Sequence, residues 1–108
     1  MSAGIDPGRL NRRLALDAPT QSADGAGGVV RGFEEIAILW ASVEPVSARA
    51  AVIADMSGAA VTHRIVLRWR NGITTRHRLR EGARTYRIVT LRARDRRFIE
   101  IGAEELIG

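Results

Sequence analysis

At 108 residues, with 45% hydrophobic and 27% charged side chains, the chain has the size and composition of one globular domain, not of two domains or a disordered polypeptide. It contains no cysteine, which excludes a disulfide scaffold and thiolate metal sites, and no apolar run near the roughly 18 residues of a membrane span. The net charge is +5 and all seventeen basic residues are arginine; the sign admits a nucleic-acid or acidic-protein neighbour, while the absence of lysine equally fits a GC-rich coding sequence.

The opening Met1–Gly8 lacks the apolar stretch of a secretory signal, so the protein is expected in the cytosol, with residues 1–11 as an N-terminal arm. Arg12–Leu16 reads as a first strand with Leu14 and Leu16 on one face. Asp17 to Gly28 is rich in turn formers, and 17–32 is expected as a flexible hairpin tip. A second strand covers Glu35–Glu44, with Ile36, Ile38, Trp40 and Ser42 opposite Ala37, Leu39, Ala41 and Val43. Both faces are largely apolar, which predicts a central strand buried on both sides and ended by Pro45. From 46 to 60 the period changes. Val46, Ser47, Val52, Ile53, Asp55 and Met56 belong to a long loop or a short alanine-rich helix capped by Ser47, too short to stand alone and expected to order against a partner.

Thr62–Arg70 alternates most clearly: His63, Ile65, Leu67 and Trp69 share one face, Arg64, Arg68 and Arg70 the other. Asn71-Gly72 is a hairpin signal. A two-residue turn would bury Arg76, Arg78 and Arg80, so a bulged three-residue turn is expected, with His77 and Leu79 inward and all six arginines on one polar face. Glu81-Gly82 turns the chain into a strand over Thr85–Leu91. A charged loop at 93–97 leads to a last strand, Phe98–Ile101, and a short acidic tail. Six short strands with no βαβ alternation predict a mainly β fold, a small antiparallel barrel or sandwich forming a single domain over 1–108.

No catalytic set emerges. His63 and His77 sit within alternating strands and read as structural, and two such ligands fall short of a metal site. Glu34-Glu35 and Glu104-Glu105 lie on loops or ends and read as solvated pairs. The glycines at 25–28 lack the lysine and context of a phosphate loop. Trp40 and Trp69 are expected in the core. No cofactor, metal or membrane contact is expected, and the chain is not expected to be an enzyme. The arginine face is the one candidate working surface, suited to phosphate or to an acidic face of another subunit.

Several blocks, taken together and in order, carry a resemblance: Gly8-Arg9-Leu10 with Arg13; Trp40-Ala41-Ser42-Val43-Glu44-Pro45 with Ser47 and Arg49; Thr62-His63-Arg64-Ile65 with Arg68, Trp69, Arg70 and Gly72-Ile73; Tyr86-Arg87-Ile88 with Asp95 and Arg97. The chain resembles the phage head–tail joining family, also called head-closure or stopper proteins. It departs from the pattern at Ala50, where relatives often carry an acidic residue after the arginine. The resemblance implies a small β-barrel in a ring of about six or twelve copies. Such a ring lies beneath the portal and adaptor of a tailed-phage capsid or a gene-transfer particle, above the tail terminator or tail tube. It implies retention of packaged double-stranded DNA and a virion location after assembly in the host cytoplasm. A compact chain of this length has a radius of gyration of about 13 Å, so only several copies together can surround a duplex. Arg49, Arg64, Arg68, Arg70, Arg76, Arg78 and Arg80 are the expected subunit or DNA contacts, and 46–60 the inter-ring segment, which rearranges on assembly in relatives. The competing reading is a free-standing, non-sequence-specific nucleic-acid-binding barrel; a third is a plain structural subunit elsewhere in the tail.

Overall fold

The computed structural model describes residues 7–23, 25–46 and 61–106. A 3-10 turn over Pro7–Arg9 leads into six strands: β1 (Arg12–Ala23), β2 (Val29–Pro45), β3 (His63–Arg68), β4 (Arg78–Glu81), β5 (Arg84–Arg94) and β6 (Phe98–Leu106). They close into an antiparallel barrel in the order β1-β2-β3-β6-β5-β4. Closure removes the sheet edges that a six-stranded open sheet would leave to solvent. Ser47, Arg49, Val52, Ile53, Asp55 and Met56, with the expected loop or short helix, lie outside the described residues. The residues flanking that segment are tied together, the Val46 N–H donating to the Thr62 carbonyl at 2.9 Å.

Period-2 alternation fills the barrel. Leu14 and Leu16, Ile65 and Leu67, Leu79, Tyr86 and Ile88, and Ile99, Ile101 and Ala103 all turn inward and are buried. Each aliphatic side chain so buried contributes about 1.5–3 kcal/mol, and side chains leave no pore in a barrel this small. Val66, on the outward parity of β3 between Arg64 and Arg68, is also buried, because Leu10 and Phe98 cover it there. The Tyr86 ring meets His63 edge-on, centroids 5.3 Å apart, and its hydroxyl is buried with no hydrogen-bond partner among the described residues. Tyr86→Phe is therefore expected to leave the unfolding free energy unchanged or raise it by about 1 kcal/mol. A urea titration showing a loss above about 1 kcal/mol would assign that hydroxyl a partner.

Three expectations are corrected. The segment 17–32 is a hairpin, but most of it is paired strand: β1 and β2 stay in register from Asp17↔Glu35 to Ala23↔Val29. The turn is left to 25–28, where Gly25 and Gly27 take positive φ. Backbone ladder bonds carry the pairing through polar side chains, and Pro19 is tolerated because β1 has no second neighbour there. β2 is central in the sheet but not covered on both sides. Ala37, Leu39 and Val43 pack on the core, and Ala41 lies in it, while Ile36, Ile38 and Trp40 stay exposed.

The third correction concerns Asn71-Gly72. Gly72 does turn the chain, at φ 88°, but β3 and β4 do not pair. β3 is flanked by β2 and β6, β4 by β1 and β5. With both edges of β3 taken, the chain crosses to the opposite wall of the barrel. His77 accordingly sits in a turn, its Nδ1 accepting from the Thr74 N–H at 3.2 Å, although Leu79 is buried as expected. The acidic tail is the end of β6, and Glu34 and Glu35 lie within β2.

Candidate contact surfaces

Because β3 and β4 stand on opposite walls, the six arginines expected on one face are divided. Arg64 pairs with Glu44 at 2.7 Å. Arg78 and Arg80 turn outward on either side of Leu79 and converge on Asp17, with Nε to Oδ2 distances of 2.8 and 2.5 Å. Arg80 also reaches Glu35 at 3.1 Å. Asp17 is buried beneath the two guanidinium groups. Hydrogen bonds from Arg80, then Arg78, hold its carboxyl below the ordinary 3.8 against the opposing cost of burial. Glu81 is likewise held below its ordinary 4.5, first by its hydrogen bonds from Arg12, one of which is Nε to Oε2 at 2.6 Å. Asp17 lies at a fork: it is the last β1 residue paired with β4, and the register of β1 on β2 shifts between Leu16 and Asp17, leaving Ile36 without an opposite residue. Past that bulge the two strands have only each other, and they form an arm that draws the molecule out to 59 Å.

Arg12, Arg64, Arg78, Arg80, Arg87, Arg92 and Arg94 each hold a carboxylate. With Arg49 set aside, nine of the seventeen arginines form no ion pair among the described residues. Four of the nine meet at one corner. Arg68 lies opposite Phe98, the Trp69 N–H donates to the Arg97 carbonyl at 2.7 Å, and Arg70 follows. Arg96 completes the β5–β6 turn at φ 72°, in backbone space that glycine enters at lower cost. The Leu10–Phe98 contact brings Arg9 alongside. Of the expected contact residues, this corner holds Arg68 and Arg70. Arg76 lies elsewhere, beside Arg31, Phe33 and Pro19 along an open groove of the arm. In sequence Arg96 and Arg97 are charges of the 93–97 loop, and only the β3–β6 pairing brings them beside Arg68.

The second surface is apolar. Phe33, Ile36, Ile38 and Trp40 are between 44% and 54% exposed, and Val29 and Val30 extend the exposed surface to the arm tip. Arginines border it: Arg78 lies 4.0 Å over the Phe33 ring and Arg13 5.7 Å over Trp40, favourable cation–π placements. Trp69 is exposed as well. Both tryptophans, expected in the core, thus lie on the surface: Trp40 is on the outward parity of β2, and Trp69 follows the end of β3. Among the described residues no group of three His, Asp or Glu side chains is placed to hold a metal ion.

The sequence matches the phage head completion protein family over residues 5–106. The solution structure of protein SF1141 from Shigella flexneri 2a is similar, with a TM-score of 0.78, 29% identity and coverage of 94% of this chain and 96% of that one. A chain of the virion of a native gene transfer agent particle is similar too, with a TM-score of 0.62, 28% identity and coverage of 91% and 96%. No curated protein matches this sequence.

Proposed function

The chain belongs to the phage head completion protein family and has a head–tail connector role, and from that premise we propose that identical copies close into a ring between the portal or adaptor and the tail, retaining packaged DNA and receiving the tail. The observation that carries this reading is the filled barrel. Leu14, Ile65, Leu67, Tyr86 and Ile101 occupy its interior, so a duplex cannot pass through one chain, and any channel is bounded by several copies. The nine arginines that form no ion pair among the described residues supply positive charge toward phosphate or toward acidic faces of neighbouring proteins. The role is structural and non-catalytic in this reading, and the protein acts at the capsid–tail junction of the particle.

Particles assembled without this chain are expected to show heads that fill with DNA, then lose it and carry no tails, by negative-stain electron microscopy and DNA quantification. Full, tailed, infectious particles would overturn the proposal. A free-standing DNA-binding barrel would instead show a steep fall of duplex affinity with salt in the isolated chain, of slope about −0.9 per phosphate contacted.

A further inference from the structure

An open sheet edge is a template for a further strand, and soluble proteins blunt such edges with proline, charge or brevity. The arm has two of them. β4 leaves β1 at Asp17, so 18–23 of β1 has no second neighbour, and there stands Pro19, which cannot donate to an added strand. The edge of β2 is open from 29 to 40, because β3 takes up pairing only at Ala41. It has no proline before Pro45 and is rich in Val, Ile, Phe and Trp, which favour strands.

Beside this second edge the side chains of one face form a single column. Trp40, Ile38, Phe33, Arg31 and Val29 lie opposite Arg13, Ala15, Pro19, Gln21 and Ala23, which share one parity of β1. All but Arg31 in that β2 column are large, apolar and exposed. They present on the order of a few hundred Å², the size at which apolar patches on soluble monomers are often functional. The charge of the face is one-sided. Arg13 lies over Trp40 and Arg31 and Arg76 line the groove beside Phe33, with no carboxylate held among the described residues. The Asp17 and Glu35 carboxylates of the same face are taken by Arg78 and Arg80.

These features select the occupant. Phosphate gains nothing from an apolar column, so nucleic acid does not cover it. A second copy offers no matching strand. Its β1 edge carries Pro19, and its β5 edge over 88–94, beyond the reach of β4, carries Arg92 and Arg94 with no carboxylate. Two β2 edges laid together make a two-fold contact, which ends at a dimer and cannot run round a ring.

We propose that the β2 edge, from 29 to 38, receives an extended strand from another protein of the particle, apolar at alternate positions and with a carboxylate opposite Arg31. Main-chain hydrogen bonds hold such a strand, and its alternate side chains select it. The source of the strand rests on the connector reading above; the edge and its chemistry do not.

The edge is tested on the full chain by amide hydrogen exchange. The probes are the acetylated, amidated peptide Val-Thr-Glu-Thr-Val-Thr-Val and the same peptide with Lys in place of Glu. The first is expected to slow alternate amides within 29–35 and leave 18–23 unchanged, and the Lys peptide to bind at least about threefold more weakly. Arg31→Glu is expected to reverse that preference with unchanged melting. Equal binding of the two peptides, protection of the β1 edge instead, or protection by neither overturns the proposal.

Particles test the source. Arg31→Glu is expected to lower the yield of tailed particles at least tenfold. Wild-type yield from particles that hold the variant at the vertex overturns the proposal and leaves the connector role standing. Absence of the wild-type chain from the vertex overturns both.

Discussion

Replacing Asp17 with alanine is expected to lower the unfolding free energy by about 3 kcal/mol, the low end for breaking a buried ion pair, because the guanidinium groups left behind are partly open to water. In a domain of this size that is a fall in Tm of roughly 12–24 °C. Asp17 accepts from both Arg78 and Arg80, so its removal leaves two cations side by side on β4. The loss falls at the root of the arm, where β1 leaves β4. The variant is therefore expected to melt early, with the loosening centred on that fork. The pH dependence has a definite sign. Asp17 and Glu81 both have carboxyl groups held below their ordinary 3.8 and 4.5. Their contribution is complete above those values and is lost as pH falls through the lower folded ones. Wild-type stability should thus decline below about pH 4.5 as the pH falls. Urea midpoints between pH 7 and pH 2 are expected to show a shallower decline for Asp17→Ala than for wild type. Equal slopes would remove Asp17 from the account.

The elements whose cause is local were legible. Leu14 and Leu16, Ile65 and Leu67, and Tyr86 and Ile88 point inward as their alternation requires, β2 ends at Pro45, and Gly82 turns β4 into β5. What failed depended on partners distant in sequence. Asn71-Gly72 is a sound turn signal, but whether a turn returns its strand alongside depends on who holds the other edges, and the β6 residues paired with β3 run from Phe98, opposite Arg68, to Ala103, opposite His63. Asp17 looked like the first residue of a loop because its two arginines are 61 and 63 residues away. The outer face of β2 has the pattern of core because an apolar face looks the same in sequence whether or not its own chain covers it. Ile36, Ile38 and Trp40 thus have the composition of a buried face and the exposure of an open one.

Gly102→Val is expected to cost about 3 kcal/mol, at the upper end for inserting bulk into a packed site. Gly102 lies on β6 between Arg64 of β3 and Thr90 of β5, and a side chain there would run into Thr90 Oγ1 and the Val61 methyl at 3.3 Å. The crowding has a structural origin. The register of β5 on β6 shifts between Ile88 and Thr90, which places the Thr90 hydroxyl to accept from the Gly102 N–H at 3.1 Å. From the other side the chain entering β3 crosses over β6: the Thr62 N–H donates to the Ala103 carbonyl at 2.8 Å, and the Thr62 hydroxyl accepts from the Glu105 N–H at 2.8 Å. Thr90 can rotate away only by giving up its bond from the Gly102 N–H. Thr90→Ala should therefore recover part of the loss, with a coupling of at least about 1 kcal/mol in a double-mutant cycle. Amide exchange at Thr62 and Glu105 should quicken in Gly102→Val alone, because Val61 must lift and take the crossing with it. If the two substitutions instead add within about 0.5 kcal/mol, the strain lies against Val61, and Val61→Ala becomes the relieving partner.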